Sequence, residues 1–316
     1  MMKTPKLYIV IPCYNEQEVL PITVCAVTAK LAELSKNGEI SDDSRILLVD
    51  DGSKDNTWSI ITKLNGENRF VCGIKLAHNV GHQNALFAGL MTAKEKADCA
   101  ISMDADGQDD ITAVEEFIKE YKNGCDIVYG VRKSRDTDTA FKRNTAQWYY
   151  KLLKLLGVDI VYNHADYRLM SRRALDALSE YREVNLFLRG MVPLIGLKST
   201  TVAYERKPRT AGESKYPLKK MLSLGYDGIT SFSVKPLKLI GNLGFFISIL
   251  SVFAMLYAIV AKILGHTVAG WTATVASIWL IGGIQLLSLG VIGTYIGKIY
   301  GEVKARPKYF IETYLE

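Results

Sequence analysis

Two stretches toward the C-terminal end of the chain carry no charge. Leu239–Ala261 is 23 residues long and is bracketed by Lys238 and Lys262, and no Asp, Glu, Lys or Arg occurs from Ile263 to Gly297. With a helical rise of ~1.5 Å per residue, about 20 residues cross a hydrocarbon core, so each stretch has room for one span. A core helix of a soluble protein is the plain alternative. Two such runs back to back, separated only by KILGHTVAGW, fit a membrane hairpin better. Lys235 and Lys238 precede the first run, Lys298, Lys304, Arg306 and Lys308 follow the second, and the connector holds only Lys262. Because basic residues favour the cytoplasmic side, both ends are expected there. The expected layout is a cytosolic domain over 1–213, an amphipathic segment over 214–235, a transmembrane hairpin over 236–298 and a cytosolic tail over 299–316. The opening MMKTPKLYIVIP has too short an apolar run for a secretion signal.

The remaining chain alternates two patterns. Apolar, β-branched runs recur at 6–12, 45–50, 71–77, 98–104 and 126–131, with helical periodicity over 16–34, 57–64, 82–96 and 111–122. Strands alternating with helices predict an α/β fold with a mainly parallel sheet, helices on both faces and ligands beyond the carboxyl ends of the strands. The polar clusters fall at those ends: PCYNE after the first strand, DDGSKDNT after the second, DADGQDD after the fourth and GVRKSRD after the fifth.

The fourth cluster poses a physical problem. The run ISMDADGQDD drives a strand into Asp104, Asp106, Asp109 and Asp110. Carboxylates two positions apart repel one another unless a cation sits between them. A polar loop with an Asp-capped helix after it is one reading; a divalent-cation site is the other. Neither G-x-G-x-x-G after the first strand nor G-x-x-x-x-G-K-[ST] occurs. A nucleotide, if one binds, would be held by acidic residues and a metal rather than a glycine cradle. In DDGSKDNT, Asp50 or Asp51 can accept from a base or ribose, Gly52 permits a tight turn, and Asn56 or Thr57 caps the next helix.

Two further segments, 141–157 and 214–236, mix lysines and arginines with aromatic and leucine residues, as helices in the headgroup plane do. Between them, RKPRTAGESK sets Arg206, Arg209 and Lys215 around a glycine, a natural phosphate-binding loop. Net charge is +6, and the basic residues adjoin apolar helices rather than an aromatic-studded sheet, which argues against nucleic acid. Five scattered cysteines without C-x-x-C spacing argue for a reducing compartment. His78 and His82 have no acidic neighbour in sequence and are read as polar loop or helix residues.

Taken in order, IVIPCYNE, LLVDDGSKDNT, MDADGQDD, GVRKSRD, NHADYRLMSRRAL and RTAGESKYPLKK resemble the family 2 glycosyltransferases of the GT-A fold. The two charge-free runs narrow the resemblance to the polyprenyl-phosphate glycosyltransferases, the group of bactoprenol glucosyltransferase and dolichyl-phosphate mannose synthase. It extends over nearly the whole chain. It implies transfer of one sugar, glucose or N-acetylglucosamine, from a UDP-sugar to a polyprenyl phosphate, with inversion, at the cytoplasmic face of the cell membrane. It also implies contact with membrane lipid and is compatible with a homo-oligomer. Carried over residue by residue, Pro12, Tyr14, Glu16 and Asp51 match nucleotide-binding positions. Asp104, Ala105 and Asp106 match the D-x-D, with Asp104, Asp106 and Gln108 on the side of a Mg2+ or Mn2+ ion. Arg132, Arg143, Arg209 and Lys215 match basic positions around the phosphates, with Arg132, Arg209 and Lys215 toward the nucleotide sugar and Arg143, Arg209 and Lys215 toward the acceptor phosphate. Asp166 matches an acidic residue near the acceptor, which with Asp104 and Asp106 completes the expected catalytic set. Many transferases of this fold carry Glu-Asp there; this chain has Ala165-Asp166.

Two other functions fit parts of the pattern. A processive polysaccharide synthase shares the catalytic core but carries Q-x-x-R-W and more spans, neither of which occurs here. A non-catalytic, membrane-tethered nucleotide-sugar sensor would be expected to have lost Asp104, Asp106, Gln108 or Asp166.

Overall fold

The computed structural model describes residues 4–132, 164–184, 186–205, 234–264 and 270–316. The elements follow in chain order: β1 (Leu7–Cys13), α1 (Leu20–Lys36), β2 (Arg45–Asp50), α2 (Thr57–Glu67), β3 (Val71–Leu76), α3 (His82–Lys96), β4 (Cys99–Ser102), α4 (Ala113–Lys122) and β5 (Ile127–Arg132). After these come β6 (His164–Ser171), α5 (Arg172–Ser179), α6 (Leu188–Leu194), β7 (Ser199–Tyr204), α7 (Lys235–Ile263), α8 (Trp271–Lys304) and β8 (Ile311–Leu315).

Successive side chains of a strand point to opposite faces, and here both faces are covered. Leu7, Ile9 and Ile11 of β1, with Ile46 and Leu48 of β2, pack beneath α1, α2 and α4. Tyr8 and Val10 of β1, with Leu47 and Val49 of β2, pack beneath α3, α5 and α6. Continuous apolar runs such as LYIVIPC follow from that double burial: every residue of β1 is buried. Helix α3 comes especially close. A Cβ on Gly89 would sit 2.4 Å from Val10 Cγ1 and 2.7 Å from Val49 Cγ2, so only glycine lets the helix lie there.

The strand order is β7-β5-β6-β4-β1-β2-β3-β8. The pairs β1/β2, β1/β4, β2/β3 and β5/β7 are parallel, while β6 runs antiparallel between β4 and β5 and β8 runs antiparallel along β3. The five expected strands are present and the sheet is mainly parallel. The strands β6, β7 and β8 are additions. HADYRLMS hides its strand character because charged residues occupy its inward positions, and IETYL is short and half exposed.

The last residues are therefore part of the domain rather than a detached tail. Gly73 pairs with Leu315, Ile74 with Tyr314 and Lys75 with Thr313, and the Lys75 and Glu312 side chains are 3.1 Å apart. The two charge-free runs lie in α7 and α8, which pack against each other and expose Phe245, Phe253, Leu286 and Leu287. Among the described residues, one helical stretch is long and apolar enough to cross a membrane, Leu280–Lys304, with mean hydropathy 1.6. It passes the expected boundary at 298 and continues to Lys304.

Candidate active site

Sequential connections place β2 and β3 on one side of β1 and β4 on the other. The loops after β1 and β4 thus diverge from adjacent strands and open a crevice at the carboxyl edge, where ligands bind in folds of this kind.

The first wall joins the loops after β1 and β2. Asn15, at φ 52°, takes the left-handed conformation that asparagine tolerates better than most residues. Its amide donates to Ser53 Oγ at 3.0 Å, and its Oδ1 accepts from the Lys54 amide at 2.8 Å. The Glu16 amide donates to Thr57 Oγ1 at 3.0 Å, and Gln17 Oε1 accepts from the Asn56 amide at 3.1 Å. Pro12 is buried at the end of β1, whereas Tyr14 stands exposed beside it. Asp51 is almost fully buried, and its carboxylate accepts from the Val80 amide at 2.7 Å, the Gly81 amide at 3.0 Å and Asn79 Nδ2 at 3.1 Å. In this structure Asp51 ties the β3–α3 loop to the β2 loop. Gly52, at φ 63°, makes that close approach available: a Cβ there would lie 2.6 Å from the Asn79 amide nitrogen.

The second wall is the acidic turn after β4. Thr23 Oγ1 of α1 donates to the Ala105 carbonyl at 2.9 Å, and the Gln108 amide donates to Asp106 Oδ1 at 3.2 Å. Asp109 turns back into the turn, accepting from the Asp104 amide at 3.3 Å and from the Tyr204 hydroxyl at 2.9 Å. Burial and the neighbouring Asp104 push the Asp109 carboxyl up to about 7. Burial, with Asp166 and Asp106 nearby, also raises Asp104 against the opposing charge of His82. Yet Asp104 keeps 35% of its side-chain surface accessible, so the crowded group is reachable from the crevice. Arg132, at the end of β5, hydrogen-bonds Tyr204, while its Nε is buried without a partner.

The floor of the crevice is a charge network built from segments distant in sequence. Asp166 and Arg168, two apart on β6, point to the same face, and Arg168 Nη2 donates to Asp166 Oδ1 at 2.7 Å. Arg189 of α6 grips the same carboxylate, with Nε 3.1 Å from Oδ1 and Nη2 3.0 Å from Oδ2. His82, the first residue of α3, lies 3.7 Å from Asp166 and 3.8 Å from Asp104 through Nε2. The reading of His82 as an isolated polar residue is thus corrected: its acidic partners are distant in sequence and adjacent in space. Burial alone would lower the His82 pKa, but the neighbouring carboxylates of Asp166 and Asp104 raise it. Burial would likewise raise Asp166, but Arg189, His82 and Arg168 together hold its carboxyl well below the usual range. Arg168 and Arg189 were missed because lone arginines in DYRLM and FLRGM carry no spacing signal. The i, i+2 pairing of Asp166 with Arg168 was the one clue available.

Among the described residues, no three His, Cys, Asp or Glu side chains converge as a ready-made metal cage. The oxygen donors of the D-x-D turn nonetheless suit a hard cation that takes most of its ligands from substrate phosphates. The raised Asp104 and Asp109 carboxyls are the groups such an ion would relieve. Pro12, Tyr14, Glu16 and Asp51 stand at the ends of β1 and β2, Asp104, Ala105, Asp106 and Gln108 in the turn after β4, Arg132 at the end of β5 and Asp166 on β6. Arg143, Arg209 and Lys215 lie outside the described residues.

The sequence profile of glycosyl transferase family 2 matches residues 8–179, which run from β1 through α5 and take in both walls. The chain belongs to this family. A Bacillus subtilis relative described as the uncharacterized glycosyltransferase YkoT is 54% identical over 308 residues, 98% of this chain and 91% of its own length. The bactoprenol glucosyl transferase of Shigella phage SfII is 38% identical over 309 residues, 97% of each chain. Among solved structures, a glucosyl-3-phosphoglycerate synthase from Mycobacterium tuberculosis, in complex with Mn2+, UDP-glucose and phosphoglyceric acid, superposes with a TM-score of 0.46. It is 14% identical and covers 72% of this chain and 78% of that one. As a family 2 glycosyltransferase, this protein is an enzyme with a sugar donor. The acidic turn and the Asp166 network form its candidate active site.

Proposed function

We propose that this protein transfers one hexose, glucose or N-acetylglucosamine, from a UDP-sugar to a polyprenyl phosphate at the cytoplasmic membrane face, with inversion at the anomeric carbon. The observation that carries the reading is the union, in one chain, of an acidic turn facing a cation-bound Asp166 with a long apolar helix whose end returns to the same sheet. The bactoprenol glucosyl transferase relative, matched over nearly its full length, supports the acceptor class.

The return of the chain bears on topology. Strands β1–β5 and Ile311–Leu315 belong to one sheet, so the chain between them crosses a bilayer an even number of times. If α8 crosses, a second crossing is required, and α7, holding the charge-free run 239–261, is the segment that fits. On this reading 1–213 is the catalytic domain, 214–235 lies at the interface, 236–298 spans the membrane twice and 299–316 returns to the catalytic side.

Asp104, Asp106 and Gln108 would hold a Mg2+ or Mn2+ ion, which when bound supplies Lewis-acid stabilisation of charge on the leaving pyrophosphate. Pro12, Tyr14, Glu16 and Asp51 form the wall for the nucleotide, and Arg132 approaches its phosphates from β5. Arg143, Arg209 and Lys215 receive the acceptor phosphate. A phosphate monoester, with its second pKa near ~6, is already mostly dianionic at neutral pH, so its attack needs orientation rather than a strong base. Asp166, saturated by two guanidinium groups and a histidine, is a weak proton acceptor and suits a positioning role. It fixes His82 beside Asp104 and Arg189 at the crevice floor.

Incubating the purified protein with polyprenyl phosphate and a panel of UDP-sugars, then weighing the lipid products by mass spectrometry, tests the reading. One added hexose or N-acetylhexosamine per lipid is expected. A ladder of sugars would favour a processive synthase, and no lipid product with any donor would sink the proposal.

A further inference from the structure

The residues that follow the apolar part of α8 touch the active-site supports directly. Glu302, in the last turn of α8, accepts from the Val184 amide at 2.7 Å. Lys308 donates to the Tyr181 carbonyl at 3.1 Å and lies 4.4 Å over the Phe87 ring. Tyr309 meets the same Phe87 edge to face, with ring centres 6.4 Å apart. Farther on, Tyr314 and Glu316 take the Lys96 ammonium at 2.7 and 2.9 Å, at the other end of α3.

These contacts converge on two segments. One is α3, whose first residue is His82 and whose fifth residue beyond it is Phe87. The other is the connection from Tyr181 to α6, which delivers Arg189. The two segments are themselves joined, because Gln83 Oε1 accepts from the Leu188 amide at 3.0 Å. His82 and Arg189 are two of the three cationic side chains on Asp166. Lys308 is half-buried in this junction; burial lowers its pKa against the nearby carboxylates of Glu183 and Glu302. A tail that only anchored the chain would need the strand pairing of β8 with β3 and nothing more. This one also reaches around α3 to the segment behind Arg189.

We infer that Glu302, Lys308 and Tyr309 are positioning residues for the transfer reaction. The end of the second long helix sets α3 and the Tyr181–Arg189 connection against each other, and thereby holds His82 and Arg189 on Asp166. The inference rests on the proposed role of Asp166 and adds to it a mechanical link from the end of an apolar helix to the site. The contacts above are with Val184, Tyr181 and Phe87 rather than with the acidic turn or the nucleotide wall, so substitution of these residues should leave donor binding alone and disturb alignment. Glutamine at 302 retains an acceptor for the Val184 amide, and alanine does not.

The test uses the full-length protein in lipid nanodiscs, with Glu302→Ala, Glu302→Gln and Tyr309→Ala. Hydrogen exchange is followed in peptides covering 181–190 and 82–88, and steady-state kinetics are measured with UDP-sugar and polyprenyl phosphate. Glu302→Ala should expose the 181–190 amides and reduce kcat about tenfold, with the KM for donor changed less than about twofold. Glu302→Gln should recover most of both, and Tyr309→Ala should raise exchange over 82–88. Unchanged exchange over 181–190, or lost protection with wild-type kcat, would overturn the inference. If the wild type makes no lipid-linked sugar, the functional reading fails instead. The kinetic arm is then read on donor hydrolysis, and the exchange arm stands unchanged.

Discussion

Arg189 and Asp166 meet fork to fork, Nε to Oδ1 at 3.1 Å and Nη2 to Oδ2 at 3.0 Å, on a carboxylate that Arg168 also holds at 2.7 Å. Arg168 is 1% exposed, so its charge is compensated inside the protein or not at all. Removing one partner of such a buried pair typically costs about 3–5 kcal/mol, far more than a surface ion pair contributes. The network is therefore a structural commitment as well as a candidate site.

Asp166→Asn keeps the shape and removes the charge, so it separates positioning from base catalysis. With positioning dominant, the variant should be slowed and should not regain rate between about pH 7 and 9, where the proposed acceptor phosphate is fully ionised. A deficit that shrinks steeply over that range would identify Asp166 as an obligatory base. The stability effect has a definite sign. The folded pKa of Asp166 lies below its unfolded value, so its contribution is present above about pH 4 and is lost as pH falls through the folded value. Wild type should thus exceed Asp166→Asn in melting temperature at pH 7, with the gap narrowing in acid.

Local pattern reveals some features of this protein and conceals others. The runs at 6–12 and 45–50 announced their strands because both faces of the sheet are buried, and the polar clusters after them marked the crevice. HADYRLMS did not announce β6, since its inward-facing Asp166 and Arg168 break the apolar pattern for the sake of the site. Nor did sequence disclose that Asp51 is engaged by the Asn79–Gly81 loop. That contact depends on the close approach of two loops 28 to 30 residues apart in the chain.

The crowding of Asp104, Asp106 and Asp109 predicts a requirement for Mg2+ or Mn2+. Asp106→Ala should lose at least about a hundredfold in kcat/KM, or ~2.7 kcal/mol of barrier. Full turnover in excess chelator would refute the metal requirement.

Tyr204 is the support of the acidic turn most open to a clean substitution. Its hydroxyl donates to Asp109 Oδ1 at 2.9 Å, and its ring meets Tyr167 at 5.2 Å between centres. Tyr204→Phe preserves the ring packing and strips a buried carboxylate of a donor, which should cost about 1–3 kcal/mol of stability. Chemical denaturation checks this. A variant as stable as wild type would mean that solvent or Arg132 replaces the hydroxyl.

The proposed membrane topology rests on the reach of a short linker. Six residues, Ala305–Phe310, connect α8 to β8. Fully extended they span at most about 21 Å, less than the ~30 Å hydrocarbon core, so an α8 that crosses a bilayer must end on the same side as the sheet. A cysteine at Thr267, in the connector between α7 and α8, should then face the opposite side from the catalytic domain. The native cysteines supply the control: Cys25 is exposed, whereas Cys13, Cys72, Cys99 and Cys125 are buried and slow to label. In intact cells, an impermeant maleimide should label Thr267→Cys and spare Cys25, and permeabilisation should open Cys25. Labelling of Cys25 from outside with Thr267→Cys protected would invert the orientation. Equal protection of both positions until permeabilisation would mean that the two helices do not cross as a hairpin.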